Sequence, residues 1–169
     1  MSASDAKLRI RPAMASDAAP LSAILNAIIE IGGTTAFQIP LSTAKFGDYF
    51  LHGKGLLACL VAEDWATGAP LGFQSLSRDP DLPEGWADIA TFTQRAPRIP
   101  GVGTALFAQT RIKASALKLI AISAVIRADN RGGLAYYGKM GFETYHIEEA
   151  IPLRDGTPVD RICKRYLLG

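Results

Sequence analysis

Two glycines one residue apart stand in Arg98-Ile99-Pro100-Gly101-Val102-Gly103-Thr104, a segment that follows an extended stretch and opens a helix. Glycine lets the backbone approach a ligand closely, and the first amides of a helix have no internal partner. Such a turn can hold a pyrophosphate on its N–H groups, with Thr104 adding a hydroxyl donor. Two commoner phosphate motifs do not fit. The dinucleotide fingerprint Gly-x-Gly-x-x-Gly needs Gly or Ala three residues after Gly103, where Leu106 stands. No Gly-Lys-Ser/Thr is present, so a nucleotide P-loop fails as well. Taken alone, the segment is equally readable as a simple strand-to-helix turn.

A second segment removes that ambiguity. Asn130 is followed seven residues later by Tyr137 and then by Gly141-Phe142. Together the two segments resemble the signatures of the GNAT acetyltransferase superfamily. Arg98, Gly101 and Gly103 match its Arg/Gln-x-x-Gly-x-Gly/Ala loop, and Asn130, Tyr137 and Gly141-Phe142 match its second signature at the same spacings. The resemblance covers the central and C-terminal half of the chain and implies acetyl-coenzyme A as cofactor. It further implies that the backbone of Thr91, Phe92 and Thr93 pairs with the pantetheine arm. By the same likeness the segment Arg98, Ile99, Pro100, Gly101, Val102, Gly103 and Thr104 binds the pyrophosphate through its backbone amides, Pro100 having no N–H to give, and Asn130 and Gly133 lie along the arm. The chain departs from the family pattern at Thr91 and Thr93, where aliphatics are usual, and at Gly133, where Ala or Ser is frequent. Asn130 also suits a plain turn in Ala128-Asp129-Asn130-Arg131-Gly132-Gly133.

Acetyl transfer needs a neutral amine, a donor for the developing oxyanion and a proton for the leaving thiolate. Tyr137 lies at the family's usual general-acid position, and a phenol can supply that proton. Its helical spacing from Leu134 suits a core aromatic too. Alignment on Gly101-Val102-Gly103 puts Asp88 where a phosphinothricin-acetyltransferase-like branch carries a catalytic Glu. The shorter side chain favours a water relay, with Glu84 as the fallback base. The same branch is echoed by Ile10-Arg11-Pro12-Ala13, Asn26-Ala27-Ile28-Ile29-Glu30 and Thr34-Thr35-Ala36-Phe37. It implies an acceptor pocket shaped by Phe37, Phe73, Ser75 and Arg78, the last because a guanidinium suits a substrate carboxylate. His52 and His146 lack partners at ligand spacing, so no metal is expected.

The elements that must position these groups are readable from apolar spacing. Strands are expected at Leu8–Arg11, Leu56–Asp64, Leu71–Leu76, Trp86–Thr93, Ile120–Ile126, Tyr145–Pro152 and Asp160–Leu168. Helices are expected from Asp17, as cap, to Glu30; from Ser42, as cap, to His52; over Gly103–Leu117; and over Leu134–Met140, ended by Gly141. The order is α+β rather than doubly wound. With the resemblance, it implies a mixed, mainly antiparallel, twisted sheet flanked by helices, with splayed central strands.

The 169 residues suit one domain spanning the chain, with residues 1–6 as a flexible leader. Hydrophobic residues at 49% and charged residues at 20% argue against disorder. A net charge of +2, without a Lys/Arg tract, names no nucleic-acid partner. No apolar run approaches the roughly 20 residues that cross a bilayer, and residues 1–7 lack a secretory pattern, so a cytoplasmic protein is expected. Cys59 and Cys163 read as ordinary buried thiols. The hairpin link Arg154-Asp155-Gly156-Thr157-Pro158 leaves a sheet edge able to pair two chains, and a homodimer is expected. The leading expectation is an N-acetyltransferase for a small-molecule primary amine, with an amino acid or its analogue among the candidates. A protein or peptide N-acetyltransferase, a non-catalytic acyl-coenzyme A-binding module and a nucleotide-binding enzyme are the rivals, the last weakened by Leu106.

Overall fold

Strand residues alternate between the two faces of a sheet, so the apolar runs here need cover on both sides, and the helices provide it. The computed structural model describes residues 7–169; the leader expected at residues 1–6 lies outside them. In chain order the elements are β1 (Leu8–Pro12), α1 (Ala18–Ile31), α2 (Thr43–Phe50), β2 (Leu56–Asp64), β3 (Pro70–Ser77), β4 (Trp86–Thr93), α3 (Val102–Ala116), β5 (Ala121–Arg127), α4 (Arg131–Lys139), β6 (Glu143–Pro152) and β7 (Pro158–Leu167). The strands form one sheet ordered β1-β2-β3-β4-β5-β7-β6. Every neighbouring pair is antiparallel except β4 with β5, which is parallel. The α+β class and the mainly antiparallel sheet are therefore as expected.

One face of the sheet carries Val61, Phe73 and Phe92, which pack with Leu21, Leu25, Ile28 and Ile29 of α1 and Phe46 and Phe50 of α2. Phe46, Phe50, Phe73 and Phe92 sit in edge or tilted contact, with several ring centroids 5.0–5.2 Å apart. Burying each such ring contributes about 1.5–3 kcal/mol. The other face carries Leu76, Ala87, Ile89, Ile122, Ala124 and Ile126 against Phe107 of α3 and Tyr137 of α4. Both cysteines are free and buried, as expected.

Two local readings change. Asp17 precedes α1 but makes no capping bond to it. Its carboxylate instead accepts two 2.8 Å bonds from the Arg11 guanidinium and one of 2.7 Å from the Met14 amide. A bidentate charged donor outcompetes a neutral helix amide. Arg11 also donates to Glu63 at 2.7 Å, tying β1 to β2. Helix α4 starts at Arg131, three residues before the expected Leu134, because Asn130 caps it across Gly132-Gly133. Ser42 caps α2 as expected, accepting from the Lys45 amide at 3.1 Å.

No helix among the described residues is long and apolar enough to cross a membrane. Among the same residues no group of three or more His, Cys, Asp or Glu is placed to hold a metal ion.

Candidate active site

The parallel pairing of β4 and β5 extends only from Trp86–Ala121 to Asp88–Ser123. Beyond it the strands diverge, and the backbone of β4 from Ile89 to Thr93 has no strand partner on the β5 side. A strand with open N–H and C=O groups accepts an extended ligand bearing amides. The divergence opens into a cleft of about 560 Å³. Thr91, Phe92 and Thr93, the whole segment Arg98 to Thr104, Asn130, Gly133 and Tyr137 all line it. Every residue expected at a cofactor thus faces one cavity.

At one end of the cleft the chain turns into α3. Gly101 takes a left-handed φ of +84°, which a β-carbon would strain. The first α-helical bond of α3 runs from the Ala105 amide to the Gly101 carbonyl at 2.9 Å. The amides of Val102, Gly103 and Thr104 precede it and so have no helical acceptor. Arg95, Arg98, Arg131 and Lys139 line the same cleft and make its rim basic. Free amides at the positive end of a helix dipole, under a basic rim, suit a bound polyanion. Thr34 adds a buried hydroxyl in the cleft that has no partner among the described residues. The residues present fit the phosphates and amide arm of an acyl-coenzyme A.

At the mouth of the splay the two tyrosines diverge in role. Tyr137 is buried, and its hydroxyl lies 2.8 Å from Thr91 Oγ1. Burial holds the phenol well above its usual pKa, so it keeps its proton. Tyr136 donates to the Gly103 carbonyl at 2.7 Å and accepts from Gln74 Nε2 at 3.1 Å. Burial pushes its phenol up to about 12. Gln74 Nε2 also donates to Thr91 Oγ1 at 2.8 Å. Gln74 is 1% exposed.

Asn130 ties the cleft's other wall. Its Oδ1 accepts from the Gly133 amide at 2.9 Å, and its Nδ2 donates to the Thr34 carbonyl at 2.8 Å. A β-carbon on Gly133 would sit 2.5 Å from that Nδ2, which explains glycine at a position where small side chains were the expectation. Arg127, buried, pairs with Asp129 through two bonds of 2.6 and 2.9 Å and reaches the Thr35 carbonyl at 3.3 Å. The loop after α1 is thereby held over the cleft by β5 and α4.

Asp88 stands on the opposite face of β4 from Thr91. Its neighbours on the same strand face, Ala90 and Phe92, pack with α1 and α2, whereas Thr91 meets Tyr137 on the other face. Asp88 is half-buried, and burial, then Asp79, raises its carboxyl to about 7. Of the four residues expected in an acceptor pocket, Phe37 is half-buried on the loop, in edge contact with Tyr49 at 5.6 Å. Ser75 is buried in β3 beside Ala90. Arg78 is exposed just after β3. Phe73 is fully enclosed in the aromatic core, because its register between Val61 and Phe92 turns it under α2. It has no open surface to offer a ligand.

Sequence reasoning missed Gln74, Arg95, Arg131, Lys139 and the Thr34-Thr35 contacts. The basic residues were detectable, since all lie within or beside the two signatures. Gln74 carried no signal, because its partners lie on other strands and helices.

No protein-family model matches the chain, and no curated protein matches it either. Solved structures do. The chain is similar to a candidate phosphinothricin N-acetyltransferase at 25% identity and a TM-score of 0.84, covering 96% of this chain and 99% of that one. It is similar at 22% identity and a TM-score of 0.84 to a ribosomal-protein-alanine N-acetyltransferase from Brucella melitensis, over 95% and 99% of the two chains. A GNAT-superfamily phosphinothricin acetyltransferase from Sinorhizobium meliloti, in complex with acetyl-coenzyme A, matches at 23% identity and 0.82, over 96% and 89%. Over nearly its whole length, then, the chain has the fold of the GNAT N-acetyltransferases.

Proposed function

We propose that this protein is an N-acetyltransferase that moves an acetyl group from acetyl-coenzyme A to the primary amine of a small molecule. The observation that carries this reading is the single cleft joining the free amides of Val102 to Thr104, the open backbone of Thr91 to Thr93 and the Tyr137 hydroxyl. Acetyl-coenzyme A supplies an activated thioester carbonyl and a thiolate that leaves.

In this reading the α3 amides and Arg98 hold the pyrophosphate, and the open edge of β4 aligns the arm. The outward N–H groups of β4 are the nearest oxyanion donors. Tyr137, protonated by its burial, gives its proton to the departing sulfur. Asp88, raised to about 7, takes the amine's proton from the other face of β4, directly or through water. Phe37, Ser75 and Arg78 are the side chains we assign to the acceptor side, where the tied Thr34-Thr35 loop favours a bounded pocket over an open groove.

We assign the protein to the cytoplasm, where free thiols such as Cys59 and Cys163 stay reduced. A homodimer formed at β6 belongs to the same proposal. This strand is the outer edge of the sheet and exposes Tyr145 and Ile147. Sedimentation of the wild type against a Ile147→Lys variant tests it, with a monomer expected from the variant.

The acceptor is tested by following thiol release from acetyl-coenzyme A with free amino acids, sulfoximines, polyamines and peptides. Release with one of the small amines is the expected result. Release with peptides alone moves the assignment to a protein N-acetyltransferase, and tight binding without release to any acceptor moves it to an acyl-coenzyme A-binding module.

A further inference from the structure

A carbonyl oxygen only accepts hydrogen bonds, and a phenol has one proton to give. The 2.7 Å contact between Tyr136 Oη and the Gly103 carbonyl therefore uses the Tyr136 proton. Tyr136 must accept whatever reaches it from Gln74 at 3.1 Å, so the nitrogen of the Gln74 amide, and not its oxygen, faces the tyrosine. With the amide fixed in that sense, the second N–H of Nε2 points at Thr91 Oγ1, 2.8 Å away. Thr91 then accepts from Gln74 and has its own proton to place. Tyr137 Oη lies 2.8 Å away, and Tyr136, whose oxygen already accepts from Gln74, is the alternative.

We infer that Gln74 is a positioning residue that directs the Tyr137 proton into the cleft, through a one-way chain running Gln74 to Thr91 to Tyr137. Were Tyr137 to donate to Thr91, the Thr91 proton would have to turn to Tyr136 Oη, which already accepts from Gln74, and away from its 2.8 Å neighbour. With Thr91 as donor, every proton of the chain is placed and the Tyr137 proton is the one left for a cleft ligand. The amide oxygen of Gln74 carries the deficit, being buried without a partner among the described residues. That deficit is tolerated because turning the amide over would set two acceptors face to face at Tyr136 and Gly103.

The inference rests on the acetyltransferase reading for its chemical use. As the amine nitrogen bonds to the carbonyl carbon, the carbon–sulfur bond breaks and its electron pair leaves on sulfur. Tyr137 protonates that sulfur. The amine's surplus proton passes to Asp88 and water, and solvent returns a proton to Tyr137.

Neutron diffraction from deuterated protein without ligand tests the chain independently of any activity. The expected map has the Thr91 deuteron directed at Tyr137 Oη and the Tyr137 deuteron directed into the cleft. A Tyr137 deuteron directed at Thr91 overturns the inference and leaves the acetyltransferase reading standing. A kinetic cycle gives the second readout. Gln74→Met is expected to lower kcat about tenfold in the wild type, part of the range typical of a positioned acid, and less than about twofold when Tyr137 is already Phe. The Kd for coenzyme A, measured by calorimetry, stays within about twofold in both backgrounds, which shows that the variants fold. An equal fall in kcat in both backgrounds contradicts a role through Tyr137. Absence of turnover in the wild type with every acceptor overturns the acetyltransferase reading instead.

Discussion

The hydroxyl of Tyr136 donates a 2.7 Å hydrogen bond to the carbonyl of Gly103, 33 residues earlier in the chain. One bond thus clamps the first turn of α3, which offers the free amides, to α4, which carries Tyr137. A β-carbon at Gly103 would lie 2.7 Å from Cε2 of the Tyr136 ring. Gly103→Ala therefore pushes the ring away and breaks the clamp. We expect its Kd for acetyl-coenzyme A, by calorimetry, to rise at least about tenfold, while Tyr136→Phe, which loses a single hydrogen bond, raises it about threefold to tenfold. Unchanged binding in Gly103→Ala contradicts this part of the account.

If Asp88 is the base proposed above, it sets the low-pH limb of turnover. Its carboxyl is raised to about 7, so it is protonated and unable to accept a proton well below that pH. The rate kcat/KM is expected to climb as pH rises through about 7 and to level off above it, apart from any later limb from the amine itself. Asp88→Asn removes the limb near 7 and lowers the rate about 100-fold. A limb that persists in Asp88→Asn assigns the base elsewhere, with Glu84 the first alternative.

Asn130 performs two structural tasks with one side chain, capping α4 and holding the Thr34 carbonyl. Loss of an N-cap alone costs about 1 kcal/mol. Asn130→Ala is expected to lose about 1–2 kcal/mol in urea unfolding and to weaken coenzyme binding through the freed loop. Asn130→Asp keeps the cap and loses the donor to Thr34, so it should recover stability but not binding.

The Arg11–Asp17 pair fixes the pH dependence of folding at the other end of the chain. The Arg11 guanidinium, and then the Met14 amide, hold the Asp17 carboxyl below its ordinary value. A lowered carboxyl contributes stability that is complete above its unfolded value, about 3.9, and disappears as pH falls through the folded value. Asp17→Ala is expected to cost about 1.5–3 kcal/mol at pH 7, since it removes the bidentate partner of a half-buried guanidinium that keeps Glu63 as its only carboxylate. The difference from wild type should shrink as the pH is taken from about 4 towards 2. A difference that stays constant over that range contradicts the pairing.

What the sequence disclosed follows from the reach of each interaction. Strand β4 was legible to the residue, because its ends are marked by a glycine turn and by the polar run after Thr93. The Gly101-Val102-Gly103 turn into α3 and the place of Tyr137 on α4 were legible because each is local to one loop or one helix. Gln74 was not, since its two partners lie 17 and 62 residues away and meet only in the folded sheet. Phe73 was misplaced for the same reason. The strand pattern shows that it alternates, but only the register with Val61 and Phe92 shows which face it takes. Asp17 had the sequence of a cap, and a guanidinium six residues earlier claimed it.

The most direct test of the central claim is a side-by-side assay of wild type and Tyr137→Phe with acetyl-coenzyme A and a responsive small amine, paired with calorimetric binding of coenzyme A. The account predicts amine-dependent thiol release by the wild type. Tyr137→Phe should bind coenzyme A within about threefold of wild type yet turn over about 100-fold more slowly, the loss expected for a missing general acid. Tight binding with no amine-dependent release by the wild type would contradict the account.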